Sequence, residues 1–206
     1  MKRLIAMLAG LLAVTLAAAE DVPPDVLVRT VSSDVLEIVR KDPDIQSGNI
    51  RKAVELAEAK VLPHFDFVHM TRLAVGKDWR KASPEQQQTL VQEFRTLLVR
   101  TYSKAFIEYR NQTIIYKPFK MQPAETDVWV RTAVNQSGGK PVQIDYNLEK
   151  KEPGWKVYDI AVAGVSLVTN YRSSFAQEVS AGGIDGLIAS LREKNKSADG
   201  AAVKNK

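Results

Sequence analysis

The sequence contains no cysteine. That excludes disulfide staples, thiolate zinc sites, a cysteine nucleophile and an acylated lipobox cysteine. Histidine is nearly absent too, with two in 206 residues, so a histidine-based metal centre has little to build on. Beyond the first 20 residues no apolar run is long enough to span a bilayer as a helix. The formal net charge is only +5, and no dense Lys/Arg stripe with interleaved aromatics points to nucleic acid. What is present is ordinary for a globular chain: 45% apolar and 26% charged residues, enough to build one substantial core and too apolar for a disordered chain.

The N-terminus reads as an export leader. Lys2 and Arg3 give a basic start, Leu4 to Leu16 form an apolar run of 13 residues, and Ala17-Ala18-Ala19 is the small-residue pattern of a signal-peptidase site. Cleavage after Ala19 leaves 187 residues and lowers the net charge to +3, because Lys2 and Arg3 depart with the leader. The expected organisation is a leader over 1–19, a single α+β domain over 20–194 and a disordered tail over 195–206. The implied location is a bacterial periplasm.

Helical spacing dominates the first half of the domain. Leu27, Val28, Val31, Val35, Ile38 and Val39 predict a helix from Asp21 to Lys41, stopped by Asp42-Pro43. A second helix is predicted from Asn49 to Leu62, interrupted by Pro63, and a short one from Phe65 to Val75, closed by Gly76. Ser83-Pro84-Glu85-Gln86 is a capping-box start for the longest helix, Pro84 to Tyr109. The period then shortens to two. Strands are predicted over Thr113–Phe119, Thr126–Asn135, Val142–Glu149 and Trp155–Val162, with turn signals at Ser137-Gly138-Gly139-Lys140 and Pro153-Gly154. In the third strand Val142, Ile144, Tyr146 and Leu148 form an apolar face, and Gln143, Asp145, Asn147 and Glu149 a wet one. A helix from Ser166 to Ser180, a Gly182-Gly183 break and a helix from Ile184 to Leu191 finish the domain. Helices, an antiparallel meander, then helices make an α+β fold.

Candidate chemistry is sparse. Gly164-Val165-Ser166 stands at a strand-to-helix junction like a nucleophile elbow but lacks the second glycine of that motif, so Ser166 reads as a helix cap. His64 and His69, five apart, diverge by about 140° on a helix and share no metal face. Asp66 beside them could form an acid–base pair. Asp159, between Tyr158 and Ile160, is either a buried acid or, the favoured reading, an ion-pair partner of Arg172. The remaining supply is apolar surface: Phe65, Phe67, Met70 and Leu73 crowd one segment, and Phe94, Tyr102, Phe106, Val130 and Tyr146 add to it. Periodicity does not distinguish a filled core from a lipid-sized cavity.

Several longer motifs resemble the MlaC, or toluene-tolerance, family. They are Val61-Leu62-Pro63-His64-Phe65-Asp66-Phe67 followed by Met70, Val75-Gly76-Lys77-Asp78-Trp79-Arg80, Tyr102 with Tyr109, Trp155-Lys156-Val157-Tyr158-Asp159-Ile160, and Gly164 through Phe175. Where the family usually has Tyr before Phe-Asp-Phe, this chain has His64. The resemblance covers about Val26 to Leu191. It implies a strongly curved antiparallel sheet of about four strands wrapped by helices, similar to the NTF2-like class. It also implies a monomeric periplasmic carrier of diacyl phospholipid, with no cofactor and no metal. Its partners would be an outer-membrane lipoprotein–porin complex and the MCE-domain protein of an inner-membrane ABC transporter, and the outcome would be outer-membrane lipid asymmetry. The residues this assigns to the lipid are Phe65, Phe67, Met70, Leu73, Leu97, Tyr102, Phe106, Val130, Ile144, Tyr146, Val162, Leu167, Val168 and Tyr171. The alternative is an NTF2-like isomerase or dehydratase with Asp159 or Asp66 as a buried base.

Overall fold

The computed structural model describes residues 22–108, 111–135 and 139–203. The expected leader over 1–19, Tyr109 and the Ser137-Gly138 half of the predicted turn lie outside these residues. Helix boundaries follow their capping chemistry. α1 (Pro24–Lys41) opens on Pro24 at its first position, carries Asp25 in the first turn and ends on Arg40 and Lys41, matching the helix dipole at both ends. Asp42 stops it and in the same residue caps α2 (Pro43–Gln46), accepting from the N–H groups of Asp44 and Ile45. Asn49 caps α3 (Ile50–Leu56) through the Lys52 N–H. The predicted continuation to Leu62 is helical but not regular. It widens to a π-turn over Ala57–Val61 and tightens to a 3-10 turn over Leu62–His64, where Pro63 has no N–H to give.

Asp66 then caps α4 (Phe67–Val75) by accepting from the His69 N–H at 2.8 Å. α4 ends at Gly76, whose φ of 66° is the left-handed conformation a glycine adopts without strain. A 3-10 turn over Gly76–Lys81, not foreseen from the sequence, leads to α5 (Pro84–Glu108). Its capping box is reciprocal: the Ser83 N–H donates to Gln86 Oε1 at 2.9 Å and the Gln86 N–H to Ser83 Oγ at 3.2 Å.

Among the described residues five strands form one antiparallel meander in chain order: β1 (Thr113–Tyr116), β2 (Asp127–Asn135), β3 (Val142–Lys151), β4 (Gly154–Val162) and β5 (Val165–Ser166). β1 stops three residues short of the predicted Phe119, and β5 is an added edge. Phe65 extends the same edge of β4 through a bridge to Val157. The final helix, α6 (Arg172–Val203), starts six residues after Ser166, bends where Gly183 leaves helical geometry, and runs past Lys194. The expected tail therefore begins as helix, and Asn195 shows why: it is buried and its amide donates to the Glu93 carbonyl and carboxylate on α5.

Among the described residues, apolar side chains gather in three clusters. The largest joins α4, α5 and α6 around Phe94, Phe175, Leu90, Leu187 and Leu191. The second sits where Val28 of α1 meets Val128, Val130, Leu148, Val157 and Trp155 of the sheet. The third ties α1, α2 and α3 together through Val35, Val39, Ile45 and Leu56.

Candidate functional site

Register places one continuous apolar face across the middle of the sheet. Val128, Val130, Thr132 and Val134 of β2 stand opposite Leu148, Tyr146, Ile144 and Val142 of β3. Ile144 and Tyr146 in turn stand opposite Val162 and Ile160 of β4. The two ends of this face differ. At the Leu148 end, Val128, Val130, Leu148, Val157 and Trp155 are buried against α1. Along β3 and β4 away from that end, Val142, Ile144, Tyr146, Ile160 and Val162 are only half-buried. Burial pushes the Tyr146 hydroxyl above its ordinary range, with Ser32 and Thr132 beside it opposing the shift and Tyr116 adding to it. An apolar face of β-branched and aromatic groups that the fold does not finish covering is a candidate binding surface.

The assigned residues divide between this face and the helical cluster. Val130 and Tyr146 belong to the sheet, with Ile144 and Val162 beside them on the same face. Phe65 packs against both the sheet and the helical cluster. Met70, Leu97 and Val168 are buried within the helical cluster, where Phe67, Leu73, Tyr102 and Tyr171 are partly buried at its margin. Burial, with Tyr171 alongside, pushes the Tyr102 hydroxyl up to about 12. Leu167 is half-buried, and the Phe106 side chain lies outside the described residues. Ile160 and Leu27 also pack against the sheet cluster. The sequence reading omits them, although Ile160 continues the alternation of Val162 by two residues. Grooves outside α1, one of about 530 Å³ along Asp34, Glu37, Ile38, Lys41, Asp42 and Lys60, include none of the assigned residues.

Both candidate acids are bound by partners within the fold. Asp159 faces away from Tyr146, opposite Asn147 on the other side of the sheet. Its buried carboxylate accepts from Ser166 Oγ at 2.5 Å and from the N–H groups of Ile160 and Val168. The predicted ion pair with Arg172 is not formed; that guanidinium instead bonds the Leu73 carbonyl at 2.8 and 3.1 Å, near the end of α4. Ser166 caps, but caps the 3-10 turn Thr169–Tyr171 through the Thr169 N–H rather than the long helix. The predicted wet face of β3 is also corrected. Asp145 and Asn147 are buried mid-sheet, opposite the longer Arg131 and Trp129 of β2.

Asp66 caps α4 and also receives Lys151 Nζ at 3.3 Å, while Lys151 reaches Glu149 at 3.0 Å and His69 Nδ1 meets Glu149 at 2.7 Å. Burial alone would raise the Asp66 carboxyl, but the His69 N–H and Lys151 outweigh it and hold it below its ordinary value. Asp66, His69 and Glu149 present ligand atoms within 4.8 Å of one another, the one such grouping among the described residues, and the Lys151 ammonium already supplies its positive charge. His69 also stacks on Tyr158 at 4.3 Å, so the cluster fastens α4 to the sheet.

These assignments predict a modest effect at Ser166. Ser166→Ala removes a donor from a buried carboxylate and a cap from the following turn, which should cost about 2 kcal/mol in urea unfolding while leaving any copurifying phospholipid unchanged. Loss of function at full stability would contradict the structural role.

No helix among the described residues is long and apolar enough to cross a membrane. The MlaC protein family matches residues 29–193. The toluene tolerance protein ttg2D of Pseudomonas putida is 31% identical over 132 residues, 61% of this chain and 60% of that relative, so the match spans less than two thirds of its length. The intermembrane phospholipid transport system binding protein MlaC of Haemophilus influenzae is 22% identical over 87% of this chain and 86% of its own. A solved phospholipid-binding protein from Ralstonia solanacearum, in complex with a phospholipid, superposes with a TM-score of 0.79 at 43% identity, covering 85% of this chain and 98% of that one. The chain belongs to the MlaC family.

Proposed function

We propose that this protein is a periplasmic phospholipid carrier. The observation that carries the reading is the half-covered apolar face around Ile144, Tyr146, Ile160 and Val162, in a chain 43% identical to a protein solved with phospholipid bound. Two acyl chains hold roughly 30 methylenes, each costing about 0.8 kcal/mol in water, so a free lipid lies on the order of 20 kcal/mol uphill. A carrier must enclose the tails, and the half-covered face of the sheet beside α1 is where such a ligand would lie. Its headgroup would remain in water, which makes headgroup selectivity weak.

On this reading the carrier is a monomer. It takes lipid from, or gives it to, an outer-membrane lipoprotein–porin complex and the MCE-domain protein of an inner-membrane ABC transporter, and so supports outer-membrane lipid asymmetry. The carrier itself needs no nucleotide, because directional work belongs to the transporter. The leader over 1–19 supports export. Solvent extraction of exported, gently purified protein tests the reading: diacyl phospholipid in the extract supports it, and protein that neither carries nor takes up lipid refutes it.

A further inference from the structure

The face of the sheet opposite the cargo site is unfinished in a different way. At the β4 end it is occupied by α4, through His69 on Tyr158, and by Asp159 with the turn after β5. At the β1–β2 end several of its described side chains are exposed. Ile115 stands opposite Ala133, and the Lys117 N–H bonds the Arg131 carbonyl, which continues the same register by two residues. Ile115, Lys117, Trp129 and Arg131 therefore share one face, with Ile115 39% and Trp129 48% exposed. Lys117 and Arg131 are exposed and directly opposite, two like charges side by side across β1 and β2, and on its other side Arg131 stands opposite the buried Asp145 of β3. Neither has an ion-pair partner among the described residues. The nearby Asp127 carboxylate is already taken by the Tyr158 hydroxyl at 2.9 and 3.0 Å. Just beyond β1, Met121 is exposed at 36%.

We propose that this exposed end of the outer face docks on the surface of an anionic phospholipid bilayer. The chemistry matches: an exposed indole and aliphatic groups suit the headgroup–acyl boundary, and the unpaired cations beside them suit lipid phosphates. An acidic protein would use the cations, whereas the exposed indole beside them is the group that lodges at a headgroup–acyl boundary. The face is distinct from the cargo site, so docking and cargo retention are separable.

The test uses the mature protein and vesicles of phosphatidylcholine alone or with about a third phosphatidylglycerol. Cosedimentation should occur with the mixed vesicles only and weaken as salt rises. Trp129 emission should shift to the blue on mixing, a shift that Trp129→Phe abolishes. Lys117→Glu with Arg131→Glu should lower sedimentation roughly tenfold or more, about 1.4 kcal/mol per factor of ten. Trp129→Ser should weaken it less, and neither change should alter extractable cargo lipid, since all these groups are surface-exposed. Unchanged sedimentation in the charge-reversed variant would overturn the proposal. So would an absence of binding to mixed vesicles by the parent, and that result would leave an acidic protein as the occupant of the face. Loss of cargo lipid from the parent would count against the carrier reading alone.

Discussion

Replacing Ile144 by Trp is expected to leave the delipidated protein folded at near-parental stability while reducing copurified phospholipid to a small fraction of the parental amount. Ile144 lies mid-strand on the apolar face, between Thr132 of β2 and Val162 of β4, and is only half-buried. In a close-packed core the added indole would be overpacked at a cost of about 1–3 kcal/mol. On a half-covered face it has room, and the volume it fills is volume taken from an acyl chain. Both proteins must be compared without lipid, because bound ligand raises apparent stability by mass action. Strong destabilisation, or undiminished lipid, would show that Ile144 does not face the cargo.

Phe94 provides the opposite case. Its ring is fully buried and meets Phe175 edge-on at 5.2 Å and Tyr171 at 5.1 Å, inside the cluster that joins α4, α5 and α6. Phe94→Ala leaves a cavity in packed material, and truncations of this kind cost about 3–5 kcal/mol. The thermal midpoint should fall on the order of 10 °C, while the folded fraction keeps its lipid-to-protein ratio. A small change in midpoint would mean that the helical cluster yields to truncation, and that it, rather than the sheet, is the compliant part of the molecule.

How much of this was legible in the sequence depends on whether the cause is local. The capping box at Ser83 and Gln86, the stop at Asp42-Pro43 and the alternation through Val142, Ile144, Tyr146 and Leu148 are short-range chemistry, and each appears where the residues put it. The partners of Asp159 and Arg172 are not local. Which groups meet them depends on how β5 returns along β4 and where α4 ends, so opposite charge alone suggested a bond that is not formed. Asp145 and Asn147 alternate as a wet face should, yet longer neighbours on β2 sit opposite them, which strand periodicity does not encode. The candidate site shows the same division. The sequence supplied the apolar residues, but only packing separates Val168, fully buried among helices, from Ile144, half-covered on the sheet.

The most direct measurement is the phospholipid-to-protein ratio of the full-length chain expressed in bacteria, purified without detergent, extracted and quantified by mass spectrometry. The carrier account predicts a ratio of roughly one bound diacyl lipid or more per protein, of mixed headgroups, because tails worth on the order of 20 kcal/mol of exposure do not leave spontaneously. Protein that emerges lipid-free and takes up none from vesicles would contradict it.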